Sequence, residues 1–144
     1  MSKTTTIKKA EVKPSWVVID ASNIRLGRLA SFVAKRLQGK HQSRYVSYID
    51  TGDHVVVINS TKVDIHPSKL DRKRYWRHSG YPGGLKMLTL KEMLERKPNE
   101  VIRKAIWGMM PKTKLGRAMI GKLYIYEDEE HNHTAQKPKL IKLN

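Results

Sequence analysis

The sequence predicts an α/β domain in which helices cover a mostly parallel sheet. Two short runs rich in β-branched residues, WVVID (16–20) and HVVVIN (54–59), have the length and continuous apolarity of buried strands. Between them Leu26, Leu29, Ala30, Val33 and Leu37 recur at helical spacing. Strand, helix and strand in that order make a βαβ unit, which joins parallel neighbours by a right-handed crossover.

The other elements follow along the chain. Residues 1–15 are polar, rich in Lys and Thr, and are expected to form a flexible basic arm. ASN (21–23) has turn and N-cap chemistry before the first helix, and Gly39 is placed to close that helix as a left-handed residue. No apolar period is sustained from Pro67 to Lys86, so 67–88 is expected to be an extended loop; loops of that length are usually functional or disordered. TLKE (89–92) has the capping-box pattern and opens a short helix carrying Leu90, Met93 and Leu94. Pro98 suits the first position of the next helix, which presents Val101, Ile102, Ala105, Ile106 and Met109 before Pro111. A short helix is expected around Leu115 to Ile120, and LYIY (123–126) reads as a last strand. One domain therefore spans 16–126, and the acidic run EDEE (127–130) and a Lys-rich tail make up 127–144.

Charge is the outlying property. Twenty-nine Lys and Arg stand against thirteen Asp and Glu, a formal net of +16. Such a surplus repels itself in the compact state and attracts polyanions, and each phosphate it neutralises releases condensed counterions. A membrane surface is the rival polyanion. Against a membrane protein, no stretch approaches the ~18 apolar residues of a spanning helix, and the N-terminus lacks the apolar run of a secretory signal. The chain has no cysteine, which excludes disulfides and thiolate metal sites. A cytoplasmic, soluble protein is expected.

Three basic segments are candidates for phosphate contact. From Ala21 to Ile49 there is no acidic residue, while Arg25, Arg28, Lys35, Arg36, Lys40 and Arg44 are present, with His41 among them. Solvated helix faces ordinarily mix signs, and this one does not. The second segment contains RKRYWRHSGYPGG (72–84) and carries Lys69, Arg72, Lys73, Arg74, Arg77 and Lys86 against one acid, Asp71. Tyr75, Trp76 and Tyr81 can stack on bases, and His78 and Ser79 add polar groups. Gly80, Gly83 and Gly84 let the backbone come close to a bulky partner. Free in water this loop would bury little, so ordering is expected only on RNA; the alternative is a surface loop whose Trp76 tucks onto the core. The third segment, PKTKLGRAMIGK (111–122), holds Lys112, Lys114, Arg117 and Lys122 and no acid. Its alternative is a helix end with cations complementing the dipole.

Catalytic readings find little support. The turn after WVVID contains only Gly27, so neither GxGxxG nor GxxxxGK[ST] is present. Asp20 at a strand end suits a turn cap as well as an acid, and no G-x-S-x-G element occurs. His131 and His133 beside EDEE could touch a metal, but that acidic stretch is expected to be solvated. No enzyme activity, cofactor, metal or small-molecule substrate is expected. A nucleotide-directed α/β enzyme and a free nucleoid-type binder are the competing classes.

Six stretches in order carry a resemblance. They are LGRLAS (26–31), YIDTGDHVVVIN (48–59), RHSGYPGGLK (77–86), RKPNEVIRKAIWGMMPK (96–112), LGRAM (115–119) and EHNHTAQKP (130–138). From about Trp16 to Lys137 the chain resembles the bacterial-type large-subunit ribosomal protein family numbered thirteen. The resemblance implies a three-layer α/β/α fold around a central, mostly parallel four-stranded sheet, with a basic N-terminal arm and a long basic loop. It implies a structural protein that binds large-subunit (23S-type) rRNA, joins the subunit early and supports translation. Neighbouring large-subunit proteins would be its other partners, with no membrane contact and no obligate homo-oligomer; the location would be the cytoplasm, in the large subunit, with an organellar ribosome as the alternative. Arg77 through Gly84 match the family's extended loop, and Lys112, Leu115, Gly116 and Arg117 its second signature.

Overall fold

A computed structural model of the chain describes residues 7–143. The strands of its main sheet are β1 (Trp16–Asp20), β2 (His54–Ile58), β5 (Leu123–Ile125) and β6 (Lys139–Ile141), in the order β5-β2-β1-β6. All three pairings are parallel. Helix α1 (Leu26–Gln38) links β1 to β2. Helices α4 (Pro98–Gly108) and α5 (Lys114–Ile120) precede β5. The remaining elements are α2 (Pro67–Arg72), a hairpin of β3 (Arg74–His78) and β4 (Leu85–Thr89), and α3 (Leu90–Arg96).

The register of β1 on β2 sets Val17 beside Val55 and Ile19 beside Val57. Side chains alternate along a strand, so these four share one face. There they pack with Leu123, with Leu29, Val33 and Leu37 of α1, with Ile102 and Ile106 of α4, and with Met119 of α5. A second, smaller cluster of Leu90, Met93 and Val101 receives Leu70 and Tyr75, and Leu26 touches both clusters. On the opposite sheet face Val18 and Val56 are also buried. That layer is thin. The rings of Trp16 and His54 stack at 4.3 Å, and His133 from the C-terminal segment lies 4.9 Å from Trp16 and 4.4 Å from Tyr124. Among the described residues of that segment, the one helical element is a 3-10 turn, Thr134–Gln136.

Local signals place most boundaries. Thr89 accepts the Glu92 N–H while Glu92 accepts the Thr89 N–H, the reciprocal capping box at the start of α3. Pro98 sits in the first turn of α4, and Gly39 closes α1 at φ +80°. Asn23 takes a left-handed turn and does not cap α1. The helix starts instead with the Leu26 N–H donating to the Asp64 carbonyl, a partner 38 residues away that no local pattern announces.

Three expectations are corrected. The 67–88 segment is not a loop: α2 is followed by a register-paired hairpin from Arg74 opposite Thr89 to His78 opposite Leu85. Its period was hidden because, of the strand residues, only the cross-strand pair Tyr75 and Leu88 and the terminal Thr89 are partly buried; the others are exposed. Second, LYIY is not the last strand, since KLI (139–141) adds β6 at the sheet edge, with Ile141 against the core and Leu140 outward. Three residues flanked by lysines give too short a run to register as a strand. Third, within the basic arm Lys9–Glu11 form a 3-10 turn and Ile7 is buried, so this part is packed. Residues 1–6 of the arm lie outside the described residues.

Gly52 shows how closely the 48–54 segment is held against α1. A Cβ there would fall onto the Leu37 carbonyl. Gly52→Ala is expected to destabilise by about 1–3 kcal/mol as overpacking, seen as a lower urea midpoint at unchanged slope.

Candidate nucleic-acid interface

The hairpin stands on the second cluster through Tyr75. The Lys73 and Lys104 ammonium groups lie 5.3 and 5.1 Å from the centre of its ring. Tyr75 is therefore an anchor packed against protein. Trp76, by contrast, is 79% exposed and Tyr81, at the tip, 76%, so both rings are free to meet a partner and Trp76 does not tuck onto the core. The tip is a tight turn: the Gly84 N–H donates to the Tyr81 carbonyl, and His78 Nδ1 accepts the Gly80 N–H at 2.9 Å. Gly80 and Gly83 there have φ of +90° and +71°, which only glycine takes without strain. Ser79 closes the turn by donating its N–H to the Gly84 carbonyl.

Three adjoining grooves share one residue, Lys104. The first, between the start of α1, α2 and α4, is a cavity of about 540 Å³ with Arg25, Lys69 and Lys73 in its walls. The second, about 310 Å³, runs between the hairpin and α3–α4 past Trp76, Arg77, Lys86, Arg96 and Lys97. The third, about 280 Å³, includes Arg103, Trp107 and Arg117. Together they are lined by ten Lys and Arg and by two carboxylates, Asp64 and Glu100. Each carboxylate already faces a cation, Asp64 with Arg25 at 3.6 Å and Glu100 with Lys97 at 3.7 Å. The surface carries a large unneutralised positive charge.

Not every expected cation belongs to it. Arg36 and His41 approach the buried Asp53 carboxylate at 3.7 and 2.8 Å. Lys122 donates to Asp50 at 2.5 Å and to the Gly52 carbonyl at 2.7 Å, and is mostly buried. These three hold the 50–53 turn in place. The Lys112 ammonium donates to the Trp107 carbonyl and lies 4.1 Å from the centre of its ring. Arg28, Lys35, Arg44, Arg72, Arg74 and Lys114 are exposed but outside the three grooves, and Lys40 lines a neighbouring hollow with Tyr45. Sequence reasoning missed Arg96, Lys97, Arg103 and Lys104. Their charges lay in plain view, diluted by Glu95 and Glu100; only the folding of the hairpin over α3–α4 brings Arg96, Lys97 and Lys104 beside Trp76, while Arg103 lines the groove with Trp107.

Asp20 is a turn cap. Burial pushes its carboxyl up, but the Ser22 N–H and hydroxyl, the Asn59 amide and the Lys62 charge outweigh that and hold it below the ordinary value. His131 and His133 belong to the aromatic layer, and no cluster of three metal-ligating side chains occurs among the described residues. No described helix is long and apolar enough to cross a membrane.

His54 gives the layer a pH dependence. Burial in the stack, aided by the Lys122 and His133 charges, lowers its pKa below 6.5 against the opposing pull of Asp50 and Asp53. The fold favours the neutral ring, so this contribution to stability is complete above pH 6.5 and is lost as pH falls through the lowered value. Urea stability is expected to decline from pH 7.5 to 5, and His54→Phe, which keeps a ring against Trp16, is expected to flatten part of that decline.

Comparison with known proteins gives the family. The family model described as ribosomal protein L13 matches residues 14–132. The large ribosomal subunit protein uL13 of Nitrosococcus oceani is 49% identical over 141 residues, covering 98% of this chain and 99% of that protein. Its counterpart in Thermotoga petrophila is 50% identical over 143 residues, 99% of this chain and 96% of its own. That of Vibrio cholerae is 48% identical over 139 residues, 96% and 98% of the two chains. The chain belongs to the ribosomal protein L13 (uL13) family, and is a ribosomal protein rather than an enzyme.

Proposed function

We propose that the chain is a structural constituent of the large ribosomal subunit that binds large-subunit rRNA and joins the particle early in assembly. The observation that carries the binding is the continuous groove surface around Lys104, with ten cations and two already paired carboxylates. A face of that composition repels itself until phosphates neutralise it. The hairpin supports the same reading: Arg77 lies directly opposite Lys86, a like-charge pair that weakens a hairpin in water and that one bridging phosphate would convert into an attraction. Arg77, Lys86, Arg96, Lys97, Lys104 and Arg117 contact phosphates, with Arg28, Lys35, Lys40, Arg44, Lys69, Arg72, Arg74, Lys112 and Lys114 extending the field. Trp76 and Tyr81 stack on or wedge against unpaired bases. Arg36, His41 and Lys122 act through the fold. The early place in assembly rests on family resemblance, as do neighbouring ribosomal proteins as partners and the cytoplasm as location.

Sucrose-gradient fractionation of a lysate tests the assignment. The chain is expected to sediment with large subunits and to stay there through a moderate salt wash; a free nucleic-acid binder would come off. With purified chain and large-subunit rRNA, Arg77→Gln is expected to lower the slope of log affinity against log salt by about one unit. Trp76→Ala is expected to weaken binding by about 1–3 kcal/mol with the slope unchanged. Lys122→Gln should lower the melting temperature and leave the slope alone. Affinity independent of salt would overturn the reading.

A further inference from the structure

The cavity between the start of α1, α2 and α4 has features that a general phosphate-binding face does not need. At about 540 Å³ it lies within the range of about 300–1,000 Å³ typical of small-ligand pockets. Its floor is apolar, with the partly exposed Leu26, Ile65 and Ala105. Met109 is 45% exposed, a flexible thioether left uncovered at the mouth. Lys69, Lys73 and Lys104 line the cavity, and the ring of Tyr75 gathers the last two around itself. The one carboxylate in the wall, Asp64, is already engaged by Arg25.

Two glycines make the case sharper. Gly27 and Gly108 face this space from the first turn of α1 and the last turn of α4. Neither has a positive φ, and a Cβ on either would meet nothing within 4 Å. Alanine is the better helix former at such positions, so backbone conformation gives no reason for glycine. A Cβ at either position would enter open space, so nothing within the folded chain requires glycine there.

We infer that this cavity receives a single unpaired nucleotide of RNA, its base against the apolar floor and its phosphate among Lys69, Lys73 and Lys104. The inference rests on the rRNA-binding reading above and deepens it. A stacked duplex presents no isolated base to enter such a recess, and an apolar peptide side chain would leave the lysines without a counter-charge. An extruded nucleotide satisfies both surfaces at once, offering a flat apolar face and one anionic group.

Gly108→Leu tests this because it fills the space from one wall without changing charge; Gly108→Ala is the milder second variant, and unfolding midpoints at or above the parent's establish that both fold. Binding of the full chain to large-subunit rRNA is expected to weaken about tenfold in Gly108→Leu, in keeping with the loss of one stacked base. In the ¹⁵N-labelled parent, the Gly27 and Gly108 amides are expected to shift with a single-stranded RNA pentamer, and not with a blunt RNA duplex or adenosine 5′-monophosphate at equal concentration. Unchanged affinity in Gly108→Leu, or equal shifts with the duplex, would sink the inference while leaving the rRNA-binding reading intact. Equal shifts with the mononucleotide would assign the cavity to a free nucleotide and overturn it too. Failure of the parent chain to bind rRNA would remove the functional reading itself.

Discussion

Mutual repulsion among surplus cations is the constraint under which this chain folds. A net +16 on 144 residues must be held together by something other than charge balance. What holds it is the strip of Val17, Ile19, Val55 and Val57 closed over by α1, α4 and α5, whose inward residues are almost wholly removed from water. Because the apolar stripe of each helix is committed to that strip, the cations are forced outward. The few buried acids do not neutralise the surplus. Asp53 and Asp50 use it locally, drawing Arg36 and Lys122 inward, with the His41 ring beside Asp53, to hold the turn before β2.

The second cluster decides how the charged hairpin is presented. Tyr75 ties β3 to Leu90, Met93 and Val101, and Leu26 ties that cluster to the main core. The hairpin is thus carried on packed side chains and closed by a glycine-bearing tip. A surface already ordered before a partner arrives gives up less conformational entropy on binding than a loop that folds on contact. Exposed Trp76 and Tyr81 at fixed positions suit a partner that is itself a folded scaffold.

The opposite face of the sheet follows a different logic. Aromatic and histidine rings from β1, β2, β5 and the C-terminal segment cover Val18 and Val56 where a long helix would otherwise lie. Flat rings cover apolar area with few ordered residues, so a short coil is enough to complete the layer. His54 and His133 pack into that layer of rings.

Signals that act within a few residues were readable in the linear chain. Helix periodicity, the Thr89–Glu92 box, Pro98 and Gly39 placed the helix limits, and the β-branched runs placed β1 and β2. Each depends on backbone geometry between near neighbours, which residue order alone prescribes. The hairpin, β6 and the union of Arg96, Lys97 and Lys104 with Trp76 were not readable in this way. The glycines and proline of SGYPGG were a turn signal, yet its strands are mostly exposed on both faces and leave no alternation to count. An edge strand of three residues has meaning only once β1 offers its free side. A continuous basic groove exists only where α4 and the hairpin meet, because proximity between residues far apart in the chain is a property of packing and not of order.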